Sequence, residues 1–352
     1  MARLENYWSR ITPLHLILFP VSLLFRLLVA LRRALYRSGI LPGHKLPVPV
    51  IVVGNISVGG TGKTPLTLTL VQQLAEHGWH PLIVSRGYGG AAQQPQQVDA
   101  SSDARQVGDE PLLMARRNLC PVWIGKDRAA AAQAALQAHP QCDVVLCDDG
   151  LQHYRLQRDM EVAVIDGMRG FGNGFMLPAG PLREPVSRLQ AVDAVVVNNG
   201  NDTSLNPLNS VRPELVEGSV RTVKSDHQYA MHLSGEVFHN LLDPGKTATA
   251  AHFHTPNNHA VAGIGHPQRY FEHLQALGIS FTPHAFPDHH PYLETDLAFT
   301  GCDAILLTEK DAVKCAAFAD ARYWVLRVNA EIDPKLIDHI LRKITSHGRE
   351  TA

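Results

Sequence analysis

Residues 48–65 read VPVIVVGNISVGGTGKTP: a β-branched apolar run, a glycine-rich turn, then Lys-Thr-Pro. A chain carrying this stretch is confined to a few architectures. The apolar run suits a strand covered on both faces, and the glycine turn feeds a helix whose N-terminus attracts an anion. Gly59, Gly60 and Gly62 let backbone N–H groups converge on phosphate oxygens without Cβ obstruction. The expected nucleotide loop is Ser57, Val58, Gly59, Gly60, Thr61, Gly62, Lys63 and Thr64. In such a loop Lys63 reaches the β- and γ-phosphates and Thr64 holds Mg²⁺. Pro65 fits the first helical turn, where a missing N–H costs nothing. The strict pattern G-x-x-x-x-G-K-[ST] departs at one place, because Ser57 stands at its first glycine.

Further short β-branched runs follow at 81–87, 120–125, 142–150, 160–167 and 191–200, with helical stretches between them. This alternation predicts an α/β fold: a P-loop NTPase-type, mostly parallel sheet flanked by helices. In such sheets ligands sit beyond the carboxyl ends of the strands. The run VVLCDD ends in Asp148 and Asp149, the acids expected to hold Mg²⁺ or its water; either one could touch the metal. Mg-ATP is the expected ligand. Residues 46–200 are read as the P-loop core and 201–225 as a polar linker or ribbon. A smaller α/β domain is expected over 226–345, where strand–helix alternation resumes.

The N-terminal 45 residues differ in kind. They carry seven Lys and Arg against Glu5 alone, a local +6 on a chain whose net charge is −1. Residues 14–31 are almost continuously apolar, interrupted by Pro20 and Arg26. No small-residue cleavage site follows, which argues against a signal peptide. The pattern predicts a helix lying at an anionic membrane surface, with a spanning anchor and a core helix as alternatives. The near-neutral total charge gives no reason to expect a nucleic-acid partner. Five scattered cysteines without C-x-x-C read as reduced thiols.

Three other features bear on chemistry. GDEP places Asp109 and Glu110 in what reads as a loop between strands; either could deprotonate a hydroxyl or position Mg²⁺. FPDHHPY sets Asp288 beside His289 and His290, a stiff loop that suits a metal site, although the adjacent spacing is unlike His-x₃-His on a helix, or equally a histidine oriented by a carboxylate. Arg86, Arg128 and Arg183 stand at strand or loop ends, where arginine suits phosphate recognition. Thr308-Glu309-Lys310-Asp311 departs from the guanine-reading pattern by one residue, so the base is expected to be adenine, or the motif only caps a strand. A membrane-associated ATPase switch of the partitioning type is the alternative class. Val58 counts against it, because that loop carries a lysine there.

Taken in order, GNISVGGTGKTP, SRGYGG, GDEP, DDGLQH, PAGPLREP, FPDHH and LTEKD resemble the tetraacyldisaccharide 4′-kinases, the lipid A 4′-kinases of Gram-negative bacteria. The resemblance spans essentially the whole chain; residues 206–220 match nothing assignable. It implies transfer of the ATP γ-phosphate to the 4′-hydroxyl of a tetraacylated glucosamine disaccharide 1-phosphate, giving lipid IVA. It also implies a peripheral or monotopic enzyme at the cytoplasmic face of the inner membrane, with no obligatory protein partner evident. Carried onto this sequence, it makes Asp109 the base and His289 its support, and puts Glu110 and Arg128 near the transferring phosphate. Lys63, Thr64, Asp148 and Asp149 organise phosphates and Mg²⁺. Arg86, Tyr88 and Arg183 are then candidates for the lipid headgroup or nucleotide.

Overall fold

A computed structural model describes residues 7–8, 12–198 and 227–348. The linker expected at 201–225, including 206–220, lies outside the described residues.

The chain enters as helix α1 (Pro13–Arg37) and then builds strands β1 (Val50–Gly54), β2 (Pro81–Ser85), β3 (Gln96–Val98), β4 (Val122–Ile124), β5 (Val144–Asp148), β6 (Met160–Asp166) and β7 (Ala194–Asn198). Between them lie helices α2 (Lys63–Glu76), α3 (Asp109–Arg117) and α4 (Arg128–Ala138). After the linker come β8 (Gln228–Ser234), β9 (Phe238–Asn240), β10 (Thr247–Ala248) and β11 (Asn258–Ala262). Helix α5 (Pro267–Ala276), β12 (Thr282–Ala285), β13 (Ala304–Thr308), α6 (Glu309–Cys315) and β14 (Tyr323–Leu326) follow, and β15 (Asn329–Ile332) and α7 (Pro334–Gly348) close the chain.

Two sheets result. The larger runs β15-β8-β7-β6-β1-β5-β2-β4-β3 and is parallel except at its two ends, where β15 and β3 pair antiparallel. The smaller runs β10-β9-β14-β13-β11-β12, parallel from β14 to β12. Side chains alternate along β1 as a pleated strand requires. Ile51 and Val53 enter a core with Leu66, Leu70 and Leu74 of α2, while Val50 and Val52 face a second core with Ala131 and Ala135 of α4. All five residues of β1 are buried, which is why the run reads as continuously apolar rather than alternating.

The segment from 226 onward does not form one separate unit. β8 pairs with β7 and β15 pairs with β8, so both extend the larger sheet. Leu336, Ile340 and Ile344 of α7 enter the core beneath α2. The smaller sheet is therefore an excursion between β8 and β15. The break at residue 226 looks like a domain boundary in sequence because a linker precedes it, but sheet pairing crosses it.

Helix α1 packs one side against the larger unit. Ser22 Oγ donates to the Met176 carbonyl at 2.7 Å, the Phe19 and Phe175 rings meet edge-on at 5.5 Å, and Phe25 and Val29 reach the α4-side core. Ile17, Val21, Leu24, Leu28 and Leu31 point away from the protein and are 51–73% exposed. Their spacing of four, three, four and three residues puts them on one face of the helix. No helix among the described residues is long and apolar enough to cross a membrane.

Candidate active site

The two sheets turn their carboxyl ends toward each other across a cavity of about 1770 Å³. From the larger sheet, the residues after β1 and β5 line it. From the smaller, those after β11, β12 and β13 do. Parallel pairing makes this convergence automatic. The register sets Val53 beside Asp148 and Asp166 beside Asn198, so the P-loop and three strand-end polar groups start on one edge.

The loop itself is held in shape before any nucleotide arrives. Gly59 and Gly62 adopt φ of 94° and 93°, the left-handed region that side chains disfavour. A Cβ on Gly62 would sit 2.7 Å from the Asn198 amide nitrogen, which itself donates to the Thr61 carbonyl at 3.1 Å. Val58 N–H donates to the Pro181 carbonyl at 2.9 Å, binding the loop to the PAGPLREP segment. Residues 58–64 line the cavity; Ser57 pairs with Leu182 behind it instead. Its departure from glycine is thus at a position that faces the protein.

Lys63 Nζ lies 3.4 Å from Asp149 Oδ1, and Arg183 reaches the same carboxylate at 3.2 Å. Burial works to raise the Asp149 carboxyl, but Lys63, Arg183 and Arg128 outweigh it and hold it down at about 2. Asp149 takes φ of 46°, uncommon for a non-glycine residue, and this turns its carboxylate to the cavity. Asp148 lies beneath. Thr67 Oγ1 donates to its Oδ1 at 3.2 Å, and its Oδ2 is buried without a hydrogen-bond partner. Burial, then Glu110 and Asp149, push the Asp148 carboxyl up to about 7. A buried carboxylate with a spare oxygen beside a phosphate loop is an arrangement that a divalent cation would stabilise. The donors are oxygens, as Mg²⁺ prefers. Thr64, Asp148 and Asp149 are the residues that would hold that ion. Among the described residues there is no cluster of three His, Cys, Asp or Glu that could hold a metal unaided.

Asp109 is the first residue of α3, and GDEP is thus a helix start rather than a loop. Gly108, at φ of 90°, makes the turn, and Pro111 fits the first helical turn. Across the cavity, His289 Nδ1 stands 3.1 Å from Asp109 Oδ2. His289 is itself at φ of 61°. His290 turns elsewhere, with Nε2 3.1 Å from Asp296 Oδ2, so of the two histidines it is His289 that meets Asp109. Glu110 lines the cavity and pairs with Lys310 at 3.3 Å. The Tyr88 ring lies 5.7 Å from that of His289.

Two arginines depart from expectation. Arg128 is buried and does not reach the cavity. Its Nη2 donates to the Asp149 carbonyl at 2.7 Å, so it supports the Asp148–Asp149 turn from behind instead of meeting a phosphate. Arg86 is exposed and outside the cavity lining. PLREP and DDGLQHY have a shared structural reason. Gln152 donates to the fully buried Glu184 at 2.8 Å and the Tyr154 hydroxyl does so at 2.6 Å. That network fixes the segment from which Arg183 projects.

Other site residues have no local signature. Arg269 of α5 meets Asp166 at the end of β6 at 2.5 Å, tying the smaller unit to the larger beside the phosphate loop. Arg169 shares Asp166 and donates to the Gly60 carbonyl at 3.4 Å. The LTEKD stretch does more than cap a strand. Thr308 Oγ1 accepts from the Asp311 N–H, capping α6, and Glu309 takes Arg117 of α3 at 2.7 Å. Lys310 projects into the cavity.

A P-loop facing an Asp–His pair formed between the two units suits phosphoryl transfer, and comparison with known proteins gives the family. The model of the tetraacyldisaccharide-1-phosphate 4′-kinase family matches residues 14–345. The chain belongs to that family. A tetraacyldisaccharide 4′-kinase of Azoarcus sp. (strain BH72) is 49% identical over 352 residues, covering 100% of this chain and 98% of the relative. One from Methylobacillus flagellatus is 47% identical, covering 97% and 96%. Among solved structures, a crystal structure of LpxK from Aquifex aeolicus in complex with ATP superposes with a TM-score of 0.75 at 28% identity, covering 94% of this chain and 99% of that one. The kinase expectation stands, ATP is its nucleotide, and the partitioning-type ATPase is not the family this chain matches.

Proposed function

We propose that this kinase works at the cytoplasmic face of the bacterial inner membrane. There it moves the γ-phosphate of ATP to the 4′-hydroxyl of a tetraacylated glucosamine disaccharide 1-phosphate. The observation that carries the reading is the Asp109–His289 contact, 3.1 Å across the cavity that the phosphate loop also lines. Asp109 accepts the hydroxyl proton while the hydroxyl oxygen bonds to the γ-phosphorus. The bond from that phosphorus to the β–γ bridging oxygen breaks, and its electron pair leaves with ADP. Lys63 and the loop amides hold the phosphates in line. Mg²⁺ supplies charge neutralisation at the phosphate oxygens when bound. Phosphoryl transfer is mostly positioning and electrostatics, so a carboxylate suffices as base.

The lipid acceptor keeps its acyl chains in a bilayer, and α1 supplies the contact. Its exposed stripe of Ile17, Val21, Leu24, Leu28 and Leu31, with Arg26, Arg32 and Arg37 on the same helix, suits the headgroup–acyl boundary of an anionic leaflet. Replacing Leu24 and Leu28 by Glu is expected to lower retention on anionic vesicles by at least about tenfold, since each buried leucine contributes about 1.5–3 kcal/mol. Turnover of a short-chain, micelle-soluble acceptor should be unchanged. Vesicle flotation with parallel assays reads both, and full retention by the double variant would remove α1 as the anchor.

The function is tested by mass spectrometry of the disaccharide 1-phosphate after incubation with the full chain, ATP and Mg²⁺ in detergent micelles. Gain of one phosphate group, located at the 4′ position, is the expected result. ATP hydrolysis without phosphate on the lipid would overturn it.

A further inference from the structure

We propose that Lys310 is a positioning residue that fixes the tautomer of His289, so that the imidazole donates its one proton to Asp109 and leaves that carboxylate to act as the base. The inference rests on the kinase reading above, and deepens it by assigning a direction to the Asp109–His289 hydrogen bond.

Lys310 Nζ is 3.2 Å from His289 Nε2, 3.2 Å from Asp288 Oδ1 and 3.3 Å from Glu110 Oε1. An ammonium has three N–H donors and no acceptor. Burial disfavours its charge, but Glu110 and Asp288 outweigh that and raise its pKa, so it is cationic at neutral pH. The ring nitrogen facing it therefore accepts, and carries no proton. The opposite nitrogen, Nδ1, carries the proton and meets Asp109 Oδ2 at 3.1 Å.

The consequence is mechanistic. His289 in this tautomer has no basic nitrogen toward Asp109 and does not take the acceptor's proton onward. It stabilises the anionic carboxylate and holds its plane. The position of Lys310 follows from the fold: it is the second residue of α6, whose first residue is pinned to α3 through Glu309 and Arg117. Asp109 begins the helix that Arg117 ends. One pair of packed helices thus sets the spacing between the base and the lysine that orients its partner.

The test needs no turnover for its first readout. ¹⁵N-histidine-labelled full-length protein in micelles is compared with His289→Asn, which assigns the His289 ring signals. The expected wild-type spectrum shows a protonated Nδ1 and a pyridine-type Nε2. Lys310→Met is expected to move population to the Nε2-protonated form and lower kcat by about 10²-fold with the KM for ATP little changed. Lys310→Arg, still a donor, should keep the wild-type tautomer. Asparagine's amide nitrogen stands where Nδ1 does and tolerates positive φ, so His289→Asn should retain activity within about tenfold while His289→Gln loses about 10²-fold. A wild-type proton on Nε2 overturns the proposal, and so does Lys310→Met with unchanged tautomer and kcat. Equal losses in His289→Asn and His289→Gln also overturn it, and that pair decides the matter if Lys310→Met does not fold. Failure of lipid phosphorylation in the wild type would sink the kinase reading while leaving the tautomer measurement standing.

Discussion

Asp109→Asn is expected to lower kcat for lipid phosphorylation by about 10³-fold, within the range for loss of a positioned general base. The amide matches the carboxylate in shape, so α3 should keep its start at Gly108 and the protein its melting temperature. Affinity for ATP should hold, because the phosphates are gripped from the other side of the cavity. Steady-state kinetics with separate KM values for ATP and lipid make the distinction. A tenfold rise in either KM with kcat intact would show that Asp109 binds substrate rather than accepting its proton.

Lys63→Met should be the second severe variant, with kcat/KM for ATP falling by about 10³-fold. The lysine is the cation at the head of α2, and its present partner is Asp149 at 3.4 Å. Removing it takes charge from the transferring phosphoryl group and leaves Asp149 to Arg183 and Arg128. Asp149 should then titrate higher than about 2, since Lys63 is the largest influence holding it down. Nucleotide binding by calorimetry and transfer by mass gain would separate the two effects. Wild-type transfer by this variant would mean that the loop does not hold the reacting phosphates.

Much of the cavity's lining is legible in the sequence alone. The strand ends β1 and β5 and the loop between β1 and α2 have local signatures: β-branched runs, glycines and terminal acids. GDEP and FPDHH were legible as chemistry, although GDEP has loop composition and only the turn at Gly108 shows it to be a helix start. What escaped was long-range. Arg269 to Asp166 and Arg117 to Glu309 join residues 103 and 192 positions apart, and no periodicity marks such a pair. Lys310 sat inside a motif whose cap explanation was sufficient by itself. Arg128 was misplaced because an arginine after a strand suits a phosphate as well as it suits a buried carbonyl. The return of β8 and β15 to the larger sheet escaped for a similar reason: edge pairing leaves little trace in sequence.

That return has a consequence for how the protein is made. Thr69 Oγ1 of α2 donates to the Ala330 carbonyl at 3.0 Å, and α7 covers the same helix. The helix that carries the phosphate loop therefore lacks its outer cover until Ala330, 261 residues after Thr69, has been made. Until then a nascent chain holds an unfinished nucleotide core, while α1, with its apolar stripe, has emerged ahead of it. The order of emergence presents that apolar stripe before the nucleotide core is complete.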